Sequence, residues 1–135
     1  MIRRTRLGIY GLAVTDGRVL LARVSKRVPG GAGKWTLPGG GMHWGETPEA
    51  TLDREMYEET GLSGRIGRLL MLRSFPYDES DTEYHLLQAV YSIEVQGEPR
   101  VTEVDGSVDL SAWHAIEDLP RIPTTRLFES TRGFW

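Results

Sequence analysis

Three glutamates, Glu55, Glu58 and Glu59, stand at i, i+3 and i+4, and their spacing constrains the chain more than any other feature. Residues three and four apart share one face of a helix, so these carboxylates would fall within an arc of about 100°. The segment carries helix signals at both ends. Thr47 can cap it, Pro48 suits the first helical position, and Gly61 is a natural stop after Thr60. Leu52 and Met56 lie beside the acidic arc and can anchor the helix to a sheet. Between Glu46 and Glu59 six carboxylates (Glu46, Glu49, Asp53, Glu55, Glu58, Glu59) face one base, Arg54. Arg54 is four residues before Glu58 and can reach it, or orient a neighbour through a forked hydrogen bond. Like charges this close raise one another's pKa or gather cations. Hard oxygen ligands select Mg²⁺ or Mn²⁺.

The remaining sequence predicts strands around that helix. Leu7 to Val14 is apolar on both alternating sets, which suits a strand covered on both faces. Asp16-Gly17 signals a hairpin turn into a second strand over Val19 to Ala22. Pro29 to Gly33 reads as a mobile glycine-rich loop, and Trp35 to Leu37 as a short strand leading into Gly39-Gly40-Gly41. Further strands are expected over Ile66 to Arg73, Tyr84 to Val95 and Leu110 to His114, with an acidic loop from Asp78 to Glu83. A helical turn over Ile116 to Leu119 and a weak helix over Thr125 to Thr131 complete the reading, a mixed sheet packed between helices.

A run of glutamates on a helix is ordinarily a solvated face. The spacing around this one argues otherwise. Gly40, five residues, Glu46, seven residues, then Arg54-Glu55-Met56-Tyr57-Glu58-Glu59-Thr60-Gly61-Leu62 resembles the Nudix box at every specified position, with Leu37-Pro38-Gly39 similar to its usual lead-in. At ordinary residue usage such a match would arise by chance about once in ten million chains. The resemblance implies a single Nudix domain over residues 1–135, with the box at residues 40–62. It also implies an α/β/α sandwich in which the box is a loop–helix–loop. Glu55, Glu58 and Glu59 would bind Mg²⁺ or Mn²⁺, with Glu46 and Gly39 as further contributors. Arg54 would hold a carboxylate in place, and Gly39 and Gly40 would let a loop approach the phosphates. The implied reaction is metal-assisted water attack on a nucleoside diphosphate linked to a moiety X, such as ADP-ribose or a nucleoside triphosphate. Glu55 and Glu59 are candidate bases within the box. Glu103 and Asp105 are candidates outside it, as are Glu79, Asp81 and Glu83.

Other assignments follow from position. The resemblance makes Arg23 a phosphate contact, while Arg27 and Lys34 flank the glycine-rich loop and are expected to close over substrate. Trp44 is expected to stack on a base, meet a partner subunit or pack; Trp35 and Trp113 are expected to be structural. His43, His85 and His114 form no metal-ligand spacing. Pro76 resembles a proline of ADP-ribose-cleaving members and Tyr77 a tyrosine of dinucleoside polyphosphate-cleaving ones. Gly41 stands where the MutT group often has a lysine. A net charge of −3 argues against dedicated nucleic-acid binding. Without cysteine there is no disulfide or thiolate site, and no apolar run is long enough to span a membrane, so the cytoplasm is the expected location. Homodimers are common on the resembled fold, with Trp44 or Phe134-Trp135 as interface candidates. The competing reading is a catalytically silent nucleotide sensor, which would ordinarily have lost box acids. All four glutamates and Arg54 are present.

Overall fold

The computed structural model describes residues 1–135. Two four-stranded sheets carry the chain. In the first, β1 (Ile2–Leu12) lies between β5 (Gly39–Gly41) and β7 (Thr82–Val95), and β7 is flanked by β6 (Gly64–Glu79). β1 and β7 run parallel while the other pairings are antiparallel, so the sheet is mixed. In the second, β3 (Arg18–Val24) pairs with β2 (Val14–Thr15), β4 (Trp35–Thr36) and β8 (Val108–Ala115). The helix α1 spans Pro48–Thr60, a 3₁₀ helix spans Ile116–Arg121, and α2 is one turn, Arg126–Glu129.

The alternation of β1 separates two apolar cores. Ile9 and Ala13 join Leu20, Ala89 and Ile93 beneath Leu52 and Met56 of α1. Leu12 joins Val19, Leu21, Val90 and Leu37 under Leu119 of the 3₁₀ helix and Leu127 and Phe128 of α2. This is an α/β arrangement with helical elements on both sides of the strands, although the second helical side is short.

Thr47 caps α1 by accepting the Ala50 amide at 3.1 Å, and Gly61 ends it at φ 69°, donating to Tyr57 O at 2.8 Å. Leu52 and Met56 are fully buried. Each contributes about 1.5–3 kcal/mol by leaving water. They sit over Gly11, where a Cβ would lie 3.0 Å from Met56 Cε and 3.2 Å from Leu52 Cδ1. A side chain at that position would lift the helix.

Several expected boundaries move. The first strand begins at Ile2, because parallel pairing with Thr82 to Ser92 extends it; Val14 leaves it and is exposed. The expected acidic loop is a hairpin, with Asp78 and Glu79 paired to Glu83 and Thr82, and Ser80 at φ 55° turning the chain. Pro29 to Gly33 forms turns closed by Gly31 N–H to Val28 O and Gly33 N–H to Val24 O. Gly39 to Gly41 is a strand against β1 rather than a loop. A Cβ on Gly39 would lie 2.2 Å from Ile9 O, so only glycine permits this pairing. The expected C-terminal helix shortens to Arg126–Glu129. No helix is long and apolar enough to cross a membrane.

Candidate active site

α1 and the strand beneath it gather the acidic residues. Glu59 is 2% exposed, and its Oε1 accepts the Gly39 amide at 3.0 Å. Glu55 lies beside it over Gly40, where a Cβ would stand 2.7 Å from the Glu55 carboxylate. Gly40 is therefore needed for the helix carboxylate to rest on the strand.

Arg54 is the hub of the polar network. Its Nε and Nη2 donate to the two oxygens of Glu46 at 2.8 and 2.9 Å. Nη1 reaches Glu55 at 2.9 Å and Glu58 at 3.4 Å, and Nη2 also donates to Gly41 O at 3.0 Å. Glu46 accepts in addition from the His43 amide and the Thr51 hydroxyl. Its oxygens are thus engaged by protein donors. In this arrangement Glu46 braces Arg54 and the box loop. The Arg54 guanidinium and the His43 amide hold the Glu46 carboxyl at about 2, far below the usual carboxylate range.

Burial pushes the Glu59 carboxyl well upward, against the Gly39 hydrogen bond, and Glu55 and Glu103 push in the same direction. Burial also raises Glu55, opposed by Arg54 and reinforced by Glu58 and Glu103. Adjacent carboxyls of this kind, Glu59 buried and Glu55 half-buried, need a shared proton or a cation. No three acidic or histidine side chains are gathered at metal-ligand spacing, and Arg54 supplies the countercharge to Glu55 and Glu58. The donors are nevertheless all hard oxygens, the chemistry that Mg²⁺ and Mn²⁺ select.

The other predicted residues divide. Glu103 stands near enough for its charge to raise Glu55 and Glu59, and the Thr102 and Glu103 amides tie its loop to Glu58 O at 2.9 and 3.1 Å. Asp105 lines a neighbouring depression of about 380 Å³ with Arg27 and Glu103. Arg23 donates to Asp109 at 2.9 Å and lines neither cavity beside the cluster. Lys34 lines neither and is exposed. Glu79, Asp81 and Glu83 belong to the β6–β7 hairpin, where Glu83 pairs with Arg3 and Glu79 lies 3.9 Å from Arg6. Trp44 is fully exposed and packs on nothing in this chain. Trp35 is buried edge-on to His114, and Trp113 donates to Gly97 O at 2.9 Å, as structural residues do.

Sequence reading missed Tyr10, Arg73 and Gln88. They line a cavity of about 350 Å³ with Gly39, Gly40 and Glu59. Arg73 donates to Gln88 Oε1 at 2.8 Å, and burial raises the pKa of Tyr10 beside them. These residues come from three strands, and no local pattern marks them. Only the pairing of Arg73 with Gln88, and of β7 with β1, brings them together.

Comparison with known proteins agrees with this geometry. Residues 3–132 match the NUDIX domain. Diphosphoinositol polyphosphate phosphohydrolase 3-alpha of Mus musculus is 30% identical over 92 residues, covering 66% of this chain and 52% of that protein. RNA pyrophosphohydrolase of Acinetobacter baylyi is 49% identical over 59 residues, covering 44% of this chain and 32% of that one. The chain spans about half the length of the first of these curated relatives. A solved structure, MutT NUDIX hydrolase from Burkholderia pseudomallei, superposes with a TM-score of 0.72 at 35% identity, covering 93% of this chain and 94% of that one. A family match across nearly all of the sequence, on this fold, shows that the chain belongs to the NUDIX family.

Proposed function

We propose that this protein is a pyrophosphohydrolase, acting as one domain over residues 1–135. It cleaves a phosphoanhydride bond in a nucleoside diphosphate linked to a further group, and releases a nucleoside monophosphate and a second phosphorylated fragment. The observation that carries this reading is the buried Glu59 with half-buried Glu55 beside it on α1, Glu59 lining the cavity formed with Tyr10, Arg73 and Gln88.

Glu55, Glu58 and Glu59 would hold Mg²⁺ or Mn²⁺, which would supply neutralisation of phosphate charge and a water made nucleophilic near neutral pH. Arg54 fixes the carboxylates from one side and is itself fixed by Glu46. The Gly39 amide orients Glu59. Glu103, tied to the end of α1, serves as general base in this reading. It takes a proton from the water as the new P–O bond forms and the bridging P–O bond to the leaving phosphate breaks. Gly40 clears the path of Glu55, and the cavity beside Glu59 receives the nucleoside.

Similarity to diphosphoinositol polyphosphate phosphohydrolases favours a second reading, in which the diphosphate is carried by a polyol. One screen separates the two. Purified protein with Mg²⁺ or Mn²⁺ is assayed against ADP-ribose, other nucleotide sugars, dinucleoside polyphosphates, nucleoside triphosphates and diphosphoinositol polyphosphates, with Glu58→Gln alongside. Turnover of a nucleotide group, abolished by EDTA and in the variant, supports the first reading. Turnover of the polyol diphosphate alone supports the second. Metal binding and nucleotide binding with no turnover of any compound would instead indicate a sensor.

A further inference from the structure

A second cavity adjoins the acid cluster on the other side of Tyr10. It measures about 510 Å³, and its lining includes Glu55, Gly41, Gly8, Arg6, Tyr77 and His43. Tyr10 lines both cavities and is the wall between them. Its ring lies against Gly8 and Gly39, where added Cβ atoms would approach within 2.8 and 2.6 Å. Those two glycines keep the wall thin and in place.

The floor of the second cavity is the pairing of Gly8 with Gly41. Nothing lies within 4 Å of the position a Cβ would take on Gly41, so the floor is open on that side. Arg6 stands two residues before Gly8 on the same face of β1. Its Nη1 donates to Tyr77 Oη at 2.9 Å and its Nη2 to Tyr84 Oη at 3.1 Å. The guanidinium also lies 4.0 Å from the centre of the Tyr84 ring, which stacks on Tyr77. A guanidinium has five N–H donors, and two are used by these hydroxyls. Glu79, at 3.9 Å, is too far to take another. Both tyrosine hydroxyls accept from Arg6, so their own O–H groups are free to donate. The cluster is thus a held cation with unused donors, paired only loosely with Glu79 at 3.9 Å, a carboxylate that a phosphate would have to outcompete.

We infer that this cavity is a second substrate subsite, and that it takes a phosphate carried by the linked group X beyond the scissile anhydride. The nucleoside side occupies the cavity of Arg73 and Gln88. The phosphorylated sugar or polyol extends across Gly8 and Gly41 to Arg6 and Tyr77. This rests on the reading that the acid cluster holds the reacting phosphates, and it narrows X to a group with a phosphate of its own.

The test uses ligands with no anhydride to cleave, so it does not depend on turnover. Fructose 1,6-bisphosphate and fructose 6-phosphate, which differ by one phosphate, are titrated into the full chain with Mg²⁺ while backbone amide resonances are followed. The expected result is that the bisphosphate binds about tenfold tighter and shifts the Gly8 and Gly41 amides. Arg6→Gln should erase that advantage, and Arg73→Gln, in the other cavity, should leave it intact. Equal binding of the two sugars, an advantage that survives Arg6→Gln, or shifts confined to Gly39 and Gly40 would overturn the subsite. An intact subsite in a protein that hydrolyses nothing in the screen would instead count against the proposed activity alone.

Discussion

The α1 platform and the outer half of the first sheet meet at the same carboxylates, yet they are built by different means. Fifteen consecutive residues, from the Thr47 cap to Gly61, specify the helix, its ends and the face that bears its acids. The outer sheet depends on residues far apart in the chain. Arg6 meets Tyr77 and Tyr84 across separations of 71 and 78 residues, and Arg73 meets Gln88 across 15. Its polar contacts are also more open to water. A platform defined locally and buried should therefore hold both stability and the chemical step. The open sheet face should adjust selectivity at little cost to folding.

The sharpest test of that contrast is Glu59→Gln. On its proposed role as a metal ligand, losing this carboxylate should lower kcat by about 10³-fold, equivalent to roughly 4 kcal/mol of barrier. The same change should stabilise the metal-free protein at alkaline pH. Burial raises the folded-state pKa of Glu59, so ionisation favours the unfolded chain, and wild-type stability falls as pH rises from the ordinary carboxylate range through the raised value. Melting curves in EDTA between pH 5 and 8.5 should show a shallower decline for the variant. A variant that melts lower at every pH would show that Glu59 supports the fold instead.

Leu52→Ala comes next. It empties a fully buried position beneath the helix and should cost about 2–5 kcal/mol in denaturant unfolding. Thr47→Ala removes the cap on the Ala50 amide and should cost about 1 kcal/mol. On the sheet, Arg65→Gln breaks an ion pair with Glu94 whose side chains are 80% and 74% exposed, so less than about 0.5 kcal/mol is expected. A large loss there, beside a small one at Leu52, would reverse the proposed division of labour.

Acid unfolding addresses the network around Arg54. The folded-state pKa of Glu46 is depressed to about 2 from the ordinary 4.5. Its contribution is therefore fully present above the ordinary value and is lost as pH falls towards 2. Glu46→Gln should flatten stability against pH across that window and leave the slope above pH 6 unchanged.

What was legible in the sequence follows the same boundary. The α1 ends, its anchoring by Leu52 and Met56 and the alternation of β1 were readable because the causes lie within a few residues. The strand character of Gly39 to Gly41 was not, because it comes from pairing with Gly8 to Tyr10. The Asp78–Glu83 segment looked like a loop by charge, but ladder pairing between β6 and β7 overrides that preference. Arg23 was placed by position along the chain, and its pairing with Asp109, 86 residues away, had no local signal. Tyr10, Arg73 and Gln88 carried no signal, since a residue two strands away has no fixed spacing.

The carbonyl of Glu58 has a further consequence. It receives the Thr102 and Glu103 amides, while the side chain of the same residue faces Arg54. The loop bearing Glu103 is in effect stitched to the helix at one residue. Natural or engineered insertions should be absorbed readily at Pro29 to Gly33, whose turns close on themselves. An insertion between Arg100 and Glu103 would have to undo the stitch, so length variation in related chains should gather at the first place and avoid the second.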